Sequence, residues 1–365
     1  MNKLTLTAIF LAGSIFAGCN GNNSKSSNYS SNLSSSGSNS NANTLLGAGS
    51  SFVYPLFSKI FEGYAKKTGT KVNYQSIGSG GGILQLTNKT IDFGDSDAPL
   101  NDEQTKKMGA AVLHIPMCSG ATVVTYNVPG VSAVLRFTGK DLADIYLGKI
   151  TNWNSPEIAA TNKNVKLPNM PIVVVHRSDG SGTTFIFTDF LTKVNPQWAA
   201  KAGKATAVNW PTGLGGKGSE GVSGLVKETP GAIGYVELAY ALQNQMPFAD
   251  IQNKSGEFIT PTLVTTTLAS NIILPIDSKV SLTNTDNAKG YPISSFTWAL
   301  IYKEQKYNGR SEARVKSVLN LLWYNVHEGQ KYCNGLNYAP LSPTAVTVAE
   351  KILTSATFDG KAILQ

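Results

Sequence analysis

Charged residues, histidine and cysteine are all scarce in this chain of 365 residues. Asp, Glu, Lys and Arg make up 15% of it, well below the roughly 25% that is usual in soluble proteins. None of the three His lies at metal-ligand spacing from another His or a Cys, which argues against a metal site. The longest basic runs are the pairs Lys66-Lys67 and Lys106-Lys107, whereas nucleic-acid-binding proteins carry dense basic patches. The composition therefore argues against nucleic-acid binding.

Long hydrophobic runs are also lacking. The chain contains no uninterrupted apolar stretch of about 18 residues, so no transmembrane helix is expected in the mature protein. Glycine is abundant, with 35 residues, and 41% of the chain is hydrophobic, which is enough for a sizeable core. The length favours two domains over one. The formal net charge of +8 raises the question of whether the protein binds an anion.

The N-terminus has the pattern of an export signal followed by a tether. A lysine, a short apolar run and the sequence Phe16-Ala17-Gly18-Cys19 predict a signal peptide over residues 1–18. Small residues before a Cys resemble the lipobox of bacterial lipoproteins, which implies that Cys19 is lipidated; an ordinary cleaved signal is the alternative. Residues 19–44 are mostly Ser, Asn and Gly and bury almost no apolar surface, so we predict a flexible tether.

The folded part begins at Leu45 and is expected to be an α/β structure. Apolar residues at helical spacing, and short apolar or alternating runs, predict helices and strands respectively. The predicted helices are 53–67, 184–194 and 314–327, and the predicted strands are 71–74, 121–126 and 171–175. Their alternation indicates α/β layers with mostly parallel sheets. Residues 209–224 and 271–290 are predicted to be loops. The spacing of Cys118 and Cys333 leaves open whether they form a disulfide.

Three Gly- and Ser-rich segments, at residues 47–52, 78–82 and 179–184, precede helical stretches. Glycine lets the backbone turn tightly and approach a ligand. A helix N-terminus presents unpaired N–H groups and a positive dipole end, which together favour anions. One such segment usually only caps its helix, but three in one chain indicate an anion site, so we expect them to converge in space.

Two charged turns accompany these segments. Asp95 and Asp97 lie between residues 93 and 99, and Arg177 and Asp179 follow an apolar strand. Alone, they would be interpreted as turn caps and a surface ion pair. Beside the three segments, Arg177 and Asp97 are predicted to line the anion site. Because a carboxylate only accepts hydrogen bonds, Asp97 would favour an anion that keeps a proton, such as phosphate, over sulfate.

The motifs that would indicate an enzyme are incomplete. The Walker pattern fails around Gly216-Lys217, and the dinucleotide pattern fails because Phe52 and Phe185 stand in place of its last glycine. Residues 221–225 lack the final glycine of the Gly-x-Ser-x-Gly motif. No His lies beside a plausible nucleophile. The sequence therefore favours a binding protein over an enzyme.

Together these segments resemble the periplasmic phosphate-binding proteins of bacterial ABC phosphate transporters. The matching segments cover nearly all of the chain after the tether, in the family's order, and they are 47–52, 72–82, 92–99, 141–153, 177–185, 210–218 and 230–237. The resemblance implies a two-domain type II periplasmic-binding-protein fold, with the ligand in the interdomain cleft and two hinge crossings. We place domain I at residues 45–122 and 293–365, and domain II at residues 123–292.

The resemblance also implies a role for individual residues. The residues assigned to phosphate are Ser50, Ser51, Phe52, Ser79, Asp97, Arg177, Ser181, Gly182 and Thr183. Asp97 would accept the phosphate proton, and Arg177 would be held by Asp97 and Asp179. Asp95 replaces a small residue of the family and is expected to face solvent or a cap. His176 stands where a second Arg can occur, either tightening binding when protonated or having no role. No cofactor is implied.

The implied function is high-affinity binding of inorganic phosphate and its delivery to an ABC permease. The protein would be an exported, lipid-anchored monomer, without enzymatic activity, on the periplasmic or cell-surface face of a bacterial membrane. Three alternatives stay open: a receptor for sulfate, molybdate or an organic phosphate on the same fold, a secreted phosphatase, and an adhesin or signalling lipoprotein without a ligand. The proposed site segments carry one Arg and three Asp, a net formal charge of −2, so the positive surplus lies elsewhere and helps to draw anions in.

Overall fold

The computed structural model describes residues 44–364; the predicted signal peptide, Cys19 and nearly all of the tether lie outside this range. The strands are β1 (Thr44–Gly49), β2 (Lys71–Ser76), β3 (Phe93–Ser96), β4 (Val112–Tyr126), β5 (Arg136–Phe137), β6 (Val173–Arg177), β7 (Leu214–Gly216), β8 (Ala232–Glu237), β9 (Asp250–Gln252), β10 (Phe258–Ile259), β11 (Ser294–Tyr302), β12 (Thr357–Phe358) and β13 (Lys361–Ala362). The helices are α1 (Tyr54–Thr68), α2 (Ser79–Thr87), α3 (Asp102–Met108), α4 (Gly139–Tyr146), α5 (Pro156–Thr161), α6 (Gly182–Val194), α7 (Pro196–Lys201), α8 (Gly218–Glu228), α9 (Leu238–Gln243), α10 (Leu263–Ser270), α11 (Glu312–Val326) and α12 (Pro343–Thr354).

A mixed sheet in the order β2-β1-β3-β11-β4-β8-β6-β7 forms the centre of the fold. β1 is parallel to β2 and β3, and β6 is parallel to β7 and β8. β11 is antiparallel to β3 and β4, and β4 is antiparallel to β8. β4 pairs with β11 as far as Ala121 and with β8 from Thr122 onward. One strand therefore continues from one half of the sheet into the other.

The predicted helices and strands are present, and their bounds differ by at most two residues except in β4, which begins at Val112, nine residues before the predicted start at 121. Helix α1 buries Leu56, Phe57, Ile60, Phe61 and Tyr64, which lie at the helical spacing that predicts this helix. It ends at Thr68 and is followed by the capping residue Gly69, whose φ of 73° is a conformation that glycine adopts at no steric cost. Apolar faces of this kind hold the helices against the sheet.

The loop predicted over residues 209–224 is wrong, because it contains β7 and the first half of α8. A Cβ on Gly216 would lie 2.7 Å from the backbone nitrogen of Val222. Glycine is required at this position for the strand to pack closely on the helix. The glycines of this segment were therefore interpreted as loop residues. Residues 271–290 contain neither helix nor strand, as predicted.

Two further features follow from the described part of the chain. No helix within residues 44–364 is long and apolar enough to cross a membrane. Cys118 and Cys333 are both buried, and both are free thiols.

Candidate functional site

The first Gly/Ser segment joins β1 to α1 and is bonded to the turn after β3. Ser50 Oγ donates to Asp97 Oδ2 at 2.6 Å, and the Phe52 N–H donates to Ser50 Oγ at 3.0 Å. Ser51 Oγ lies 3.0 Å from Ser219 Oγ on α8. Ser50, Ser51 and Phe52, the residues of this segment that were predicted to bind phosphate, are buried. The segment therefore links β3 on one side to α8 on the other.

The second and third segments meet each other and Asp97. Ser79 Oγ, at the start of α2, accepts a hydrogen bond from the Asp97 N–H at 3.2 Å. The Gly80 N–H donates to the Gly180 carbonyl at 2.8 Å. A Cβ on Gly182, the first residue of α6, would lie 2.4 Å from both Asp97 Oδ2 and Ser79 Oγ. The structure thus brings the three segments together, as the sequence predicted; that they bind an anion stays a prediction.

Helix α6 begins at this meeting point. Ser181 caps it by accepting a hydrogen bond from the Thr184 N–H at 3.0 Å. Ser181 and Thr183 are buried, and Thr183 Oγ1 has no hydrogen-bond partner among the described residues. The helix is 13 residues long, so its first N–H groups and its dipole make the site favourable for negative charge.

Arg177 brings the positive charge to the site. It ends β6 and is buried, and its Nε and Nη2 donate to Asp179 Oδ1 and Oδ2 at 2.7 and 2.5 Å. Asp179 also accepts from the Gly218 N–H at 3.0 Å. Burial acts to raise the pKa of Asp179, but its bonds with Arg177 and the Gly218 N–H outweigh this and hold the pKa below its ordinary value. The two parallel bonds fix the plane of the guanidinium.

Asp97 lies at the centre of the site with both carboxylate oxygens engaged. Oδ2 accepts from Ser50, and Oδ1 accepts from Thr297 Oγ1 of β11 at 2.6 Å. Burial raises the pKa of Asp97, while these two bonds and the charge of Arg177 lower it, which leaves a pKa of about 6. The described residues show no hydrogen bond between Arg177 and Asp97, so only Asp179 holds the guanidinium by direct bonds. Near neutral pH, Asp97 is a carboxylate that only accepts hydrogen bonds.

The expectation that Asp95 faces solvent or a cap is wrong. Its side chain is 0% exposed, and Thr297 Oγ1 lies 2.9 Å from its Oδ1. β3 lies between β1 and β11 in the interior of the sheet, and every residue of this strand is buried. Burial and the charge of Asp97 raise the pKa of Asp95 well above its ordinary value.

His176 packs beside the site. Its ring stacks on Trp210 with a centroid distance of 4.8 Å, and its Nδ1 lies 3.1 Å from the Arg177 carbonyl oxygen. Burial lowers the pKa of His176, so the ring is neutral near pH 7. These contacts favour packing over charge as its role.

Three residues that touch the site were missed by sequence reasoning. Tyr240 donates through its hydroxyl to the Ser51 carbonyl at 2.7 Å, and the Ser219 N–H donates to Ser51 Oγ at 3.3 Å. Thr297 was missed because a single Thr in an apolar strand is also an ordinary strand residue. Only Ser219 had a signal in the sequence, since it directly follows the matching segment 210–218.

The chemistry of the site is that of a binder for a small oxyanion. It combines one fixed guanidinium, N–H groups at helix starts, several hydroxyl groups and one carboxylate acceptor. Within residues 44–364 no group of three His, Cys, Asp or Glu could hold a metal ion.

Comparisons with known proteins agree with this chemistry. A family model described as a PBP superfamily domain matches residues 34–322. The chain is 42% identical over 308 residues to a phosphate-binding protein PstS of Xylella fastidiosa, covering 83% of each chain. It is 41% identical over 310 residues to a phosphate-binding protein PstS of Haemophilus influenzae, covering 84% of this chain and 91% of that one.

Solved structures share the fold at lower identity. A putative phosphate ABC transporter substrate-binding protein from Clostridium perfringens, solved with bound phosphate, superimposes with a TM-score of 0.60 at 20% identity. The match covers 82% of this chain and all of that one. A high affinity periplasmic phosphate-binding protein bound with phosphate gives a TM-score of 0.66 at 18% identity, covering 84% of this chain and 93% of that one. The predicted α/β, type II periplasmic-binding-protein fold is therefore confirmed.

Proposed function

Because the chain belongs to the phosphate-binding-protein family of the PBP superfamily, we propose that it binds inorganic phosphate with high affinity and delivers it to an ABC phosphate permease. One observation carries this proposal. Arg177, the start of α6 and the acceptor Asp97 meet in one buried cluster, which suits an anion that keeps a proton. Sulfate and molybdate lack a proton near neutral pH, so the same cluster disfavours them.

The proposed phosphate contacts come from all three segments. Ser51 and Phe52 donate from the first, Ser79 donates from the second, and Arg177 bonds the anion directly. From the third, the donors are Ser181, Gly182 and Thr183. Ser50 remains a proposed contact, and its bond to Asp97 supports a second role in orienting that carboxylate. Binding would replace some of the present contacts, such as that between Ser51 and Ser219, by bonds to the ligand.

The ligand cleft is proposed to lie between two domains, with residues 45–122 and 293–365 in one and residues 123–292 in the other. The change of partner of β4 between Ala121 and Thr122 supports a crossing there. The start of β11 at Ser294 supports the second crossing. Closure about these two crossings would couple phosphate binding to recognition by the permease.

The proposed location follows from the sequence and the family. We propose export with cleavage before Cys19, lipidation of that residue, and a tether that lets the folded part work as a monomer on the outer or periplasmic face of a bacterial membrane. The relatives are named as binding proteins, which supports a role without enzymatic activity. A secreted phosphatase would need a nucleophile with a neighbouring base.

Replacing Arg177 by Lys tests the proposed function directly. Lysine keeps the charge but cannot make two parallel bonds to Asp179, so the cation would no longer be fixed. We expect the Kd for phosphate, measured by isothermal titration, to rise by about tenfold or more. Arg136→Lys, at an exposed arginine in β5, is the matched control. Equal Kd values for the two variants would contradict the proposal.

A further inference from the structure

One hydroxyl in the site contacts two carboxyl groups. Thr297 Oγ1 lies 2.6 Å from Asp97 Oδ1 and 2.9 Å from Asp95 Oδ1, and all three side chains are fully or almost fully buried. A threonine hydroxyl has one hydrogen to donate. If both carboxyl groups were ionised, one of these contacts would be lone pair against lone pair. The geometry therefore requires a hydrogen on one of the two carboxyl groups.

The surroundings decide which group carries it. Asp97 Oδ2 accepts from Ser50, and the charge of Arg177 favours the ionised form of Asp97. Asp95 has no hydrogen bond from a cation, and its Oδ2 lacks any hydrogen-bond partner among the described residues. If Asp95 were ionised, a charged oxygen would be buried without a hydrogen-bond donor, which carries a large desolvation cost. Asp95 is therefore the group that keeps its hydrogen.

Other titratable groups near this pair do not alter the assignment. Tyr74 of β2 and Cys118 of β4 interact electrostatically with Asp95, and Glu237 of β8 interacts with Asp97. Each of these is negative when ionised, so each disfavours a second charge on the pair. Arg177 is the nearby cation, and it acts on Asp97.

We propose that Asp95 is a neutral carboxylic acid and a positioning residue for Asp97: it donates its hydrogen to Thr297, and Thr297 donates its own to Asp97. These two hydrogen bonds leave Asp97 as the acceptor that faces the start of α6. The proposal deepens the proposed function and rests on it for its effect on phosphate. Asp95 would thereby contribute to selecting an anion that carries a proton, without touching the anion itself.

Phosphate affinity should depend on the ionisation of Asp95. Burial, with the charge of Asp97, raises the pKa of Asp95 well above its ordinary value, so ionisation of Asp95 is shifted to higher pH. Ionised Asp95 would compete for the Thr297 hydrogen and add a negative charge behind Asp97. Phosphate affinity of the natural protein should therefore weaken as the pH rises through the pKa of Asp95. The Asp95→Asn variant, which cannot ionise, should lack this loss.

Two variants test the hydrogen bond by titration of the full chain with phosphate at neutral pH. Asp95→Ala removes the donor to Thr297, and we expect phosphate binding to weaken by about threefold to tenfold. Asp95→Asn keeps an N–H donor and should recover most of that loss. Asp102→Asn, at an exposed position in α3, is the control for charge at a distance. Unchanged or tighter binding by Asp95→Ala, or a loss that Asp95→Asn does not recover, would overturn the proposal.

Infrared difference spectroscopy tests the protonation state without phosphate. At neutral pH, one carbonyl stretch of a protonated carboxylic acid should be lost between the natural protein and Asp95→Asn, while Asp102→Asn keeps it. The buried Glu237, whose pKa is also raised, contributes to all of these spectra and cancels in the difference. Loss of a carboxylate band instead would overturn the proposal. If none of these proteins binds phosphate, the proposed function fails, and the infrared result still decides the state of Asp95.

Discussion

At the scale of single residues, we propose that anion selectivity depends on the hydrogen bonds that Asp97 accepts. Its two oxygens already accept from Ser50 and Thr297, so the lone pairs that remain can only accept from a ligand. A ligand without a proton would place its own lone pairs against them. Rejection of the wrong anion then comes from an unpaired, buried repulsion, which is costly in a site shielded from water.

Replacing Asp97 by Asn should relax this selectivity. The amide can donate where the carboxylate cannot, so we expect sulfate to bind more tightly and phosphate more weakly. A single buried contact to a charged group is worth about 1.5–3 kcal/mol, or roughly tenfold to 150-fold in affinity. Competition titrations with phosphate and sulfate measure the change, with Asp102→Asn as the exposed control. Unchanged selectivity would remove Asp97 from this role.

The selectivity should also depend on pH. The pKa of Asp97 is raised to about 6, so this carboxyl becomes neutral as the pH falls through that value, and a neutral acid can donate to sulfate. We expect the ratio of the sulfate Kd to the phosphate Kd to fall by about tenfold between about pH 7.5 and about pH 5. Asp97→Asn should show no such change. A ratio that rises on acidification would contradict the assignment.

Residue chemistry could be predicted from the sequence only where a local motif carries it. The Gly/Ser segments and the pair Arg177 and Asp179 were found in this way. Asp95 was predicted to face solvent or a cap because its burial depends on β11, which lies about two hundred residues later in the chain. Thr297 was missed for the same reason, since its partners are distant in sequence.

At the scale of secondary-structure elements, the site depends on how closely α6 approaches β3 and α2. Gly182 opens α6, and its hydrogen stands where a side chain would meet Asp97 Oδ2 and Ser79 Oγ. The helix start can therefore reach the turn after β3 only with glycine at this position.

Gly182→Ala should separate these elements. The added Cβ would lie 2.4 Å from both contact atoms, so the helix start or Asp97 must move, and we expect phosphate affinity to fall by about tenfold to a hundredfold. The control is Gly224→Ala in α8, where the new Cβ meets nothing within 4 Å. That variant should keep phosphate affinity and gain about 0.5–1 kcal/mol in unfolding free energy. Equal affinities for both variants would show that the close approach is not needed.

Periodicity predicted the long helices α1, α6 and α11 well, but it missed β11 and the first part of β4 and predicted the glycine-rich elements poorly. Helix α1 was expected over residues 53–67 and occupies Tyr54–Thr68. β7 and the start of α8 were missed because their glycines allow two backbone segments to pack closely. In the sequence alone, these glycines are typical of a loop. The order of strands, with β11 between β3 and β4, has no local signal at all.

At the scale of the whole molecule, charge is distributed unevenly between the site and the surface. The chain carries +8, yet the site segments sum to −2 and contain a single Arg. A surplus of positive charge raises the local concentration of small anions, while we propose that fixed dipoles, Arg177 and Asp97 hold the one that enters. Under this proposal, attraction of anions by net charge and selection among them by the site are separate properties.

Isothermal titration of the purified protein with phosphate, and in parallel with sulfate, measures whether the site binds phosphate and prefers it. Binding of one phosphate at neutral pH with a Kd of about 1 μM or lower corresponds to about −8 kcal/mol, which several charge-assisted hydrogen bonds can supply after ordering costs are subtracted. We expect this result, with sulfate binding at least about a hundredfold weaker. Sulfate binding as tight as phosphate binding, or no heat with either anion, would contradict it.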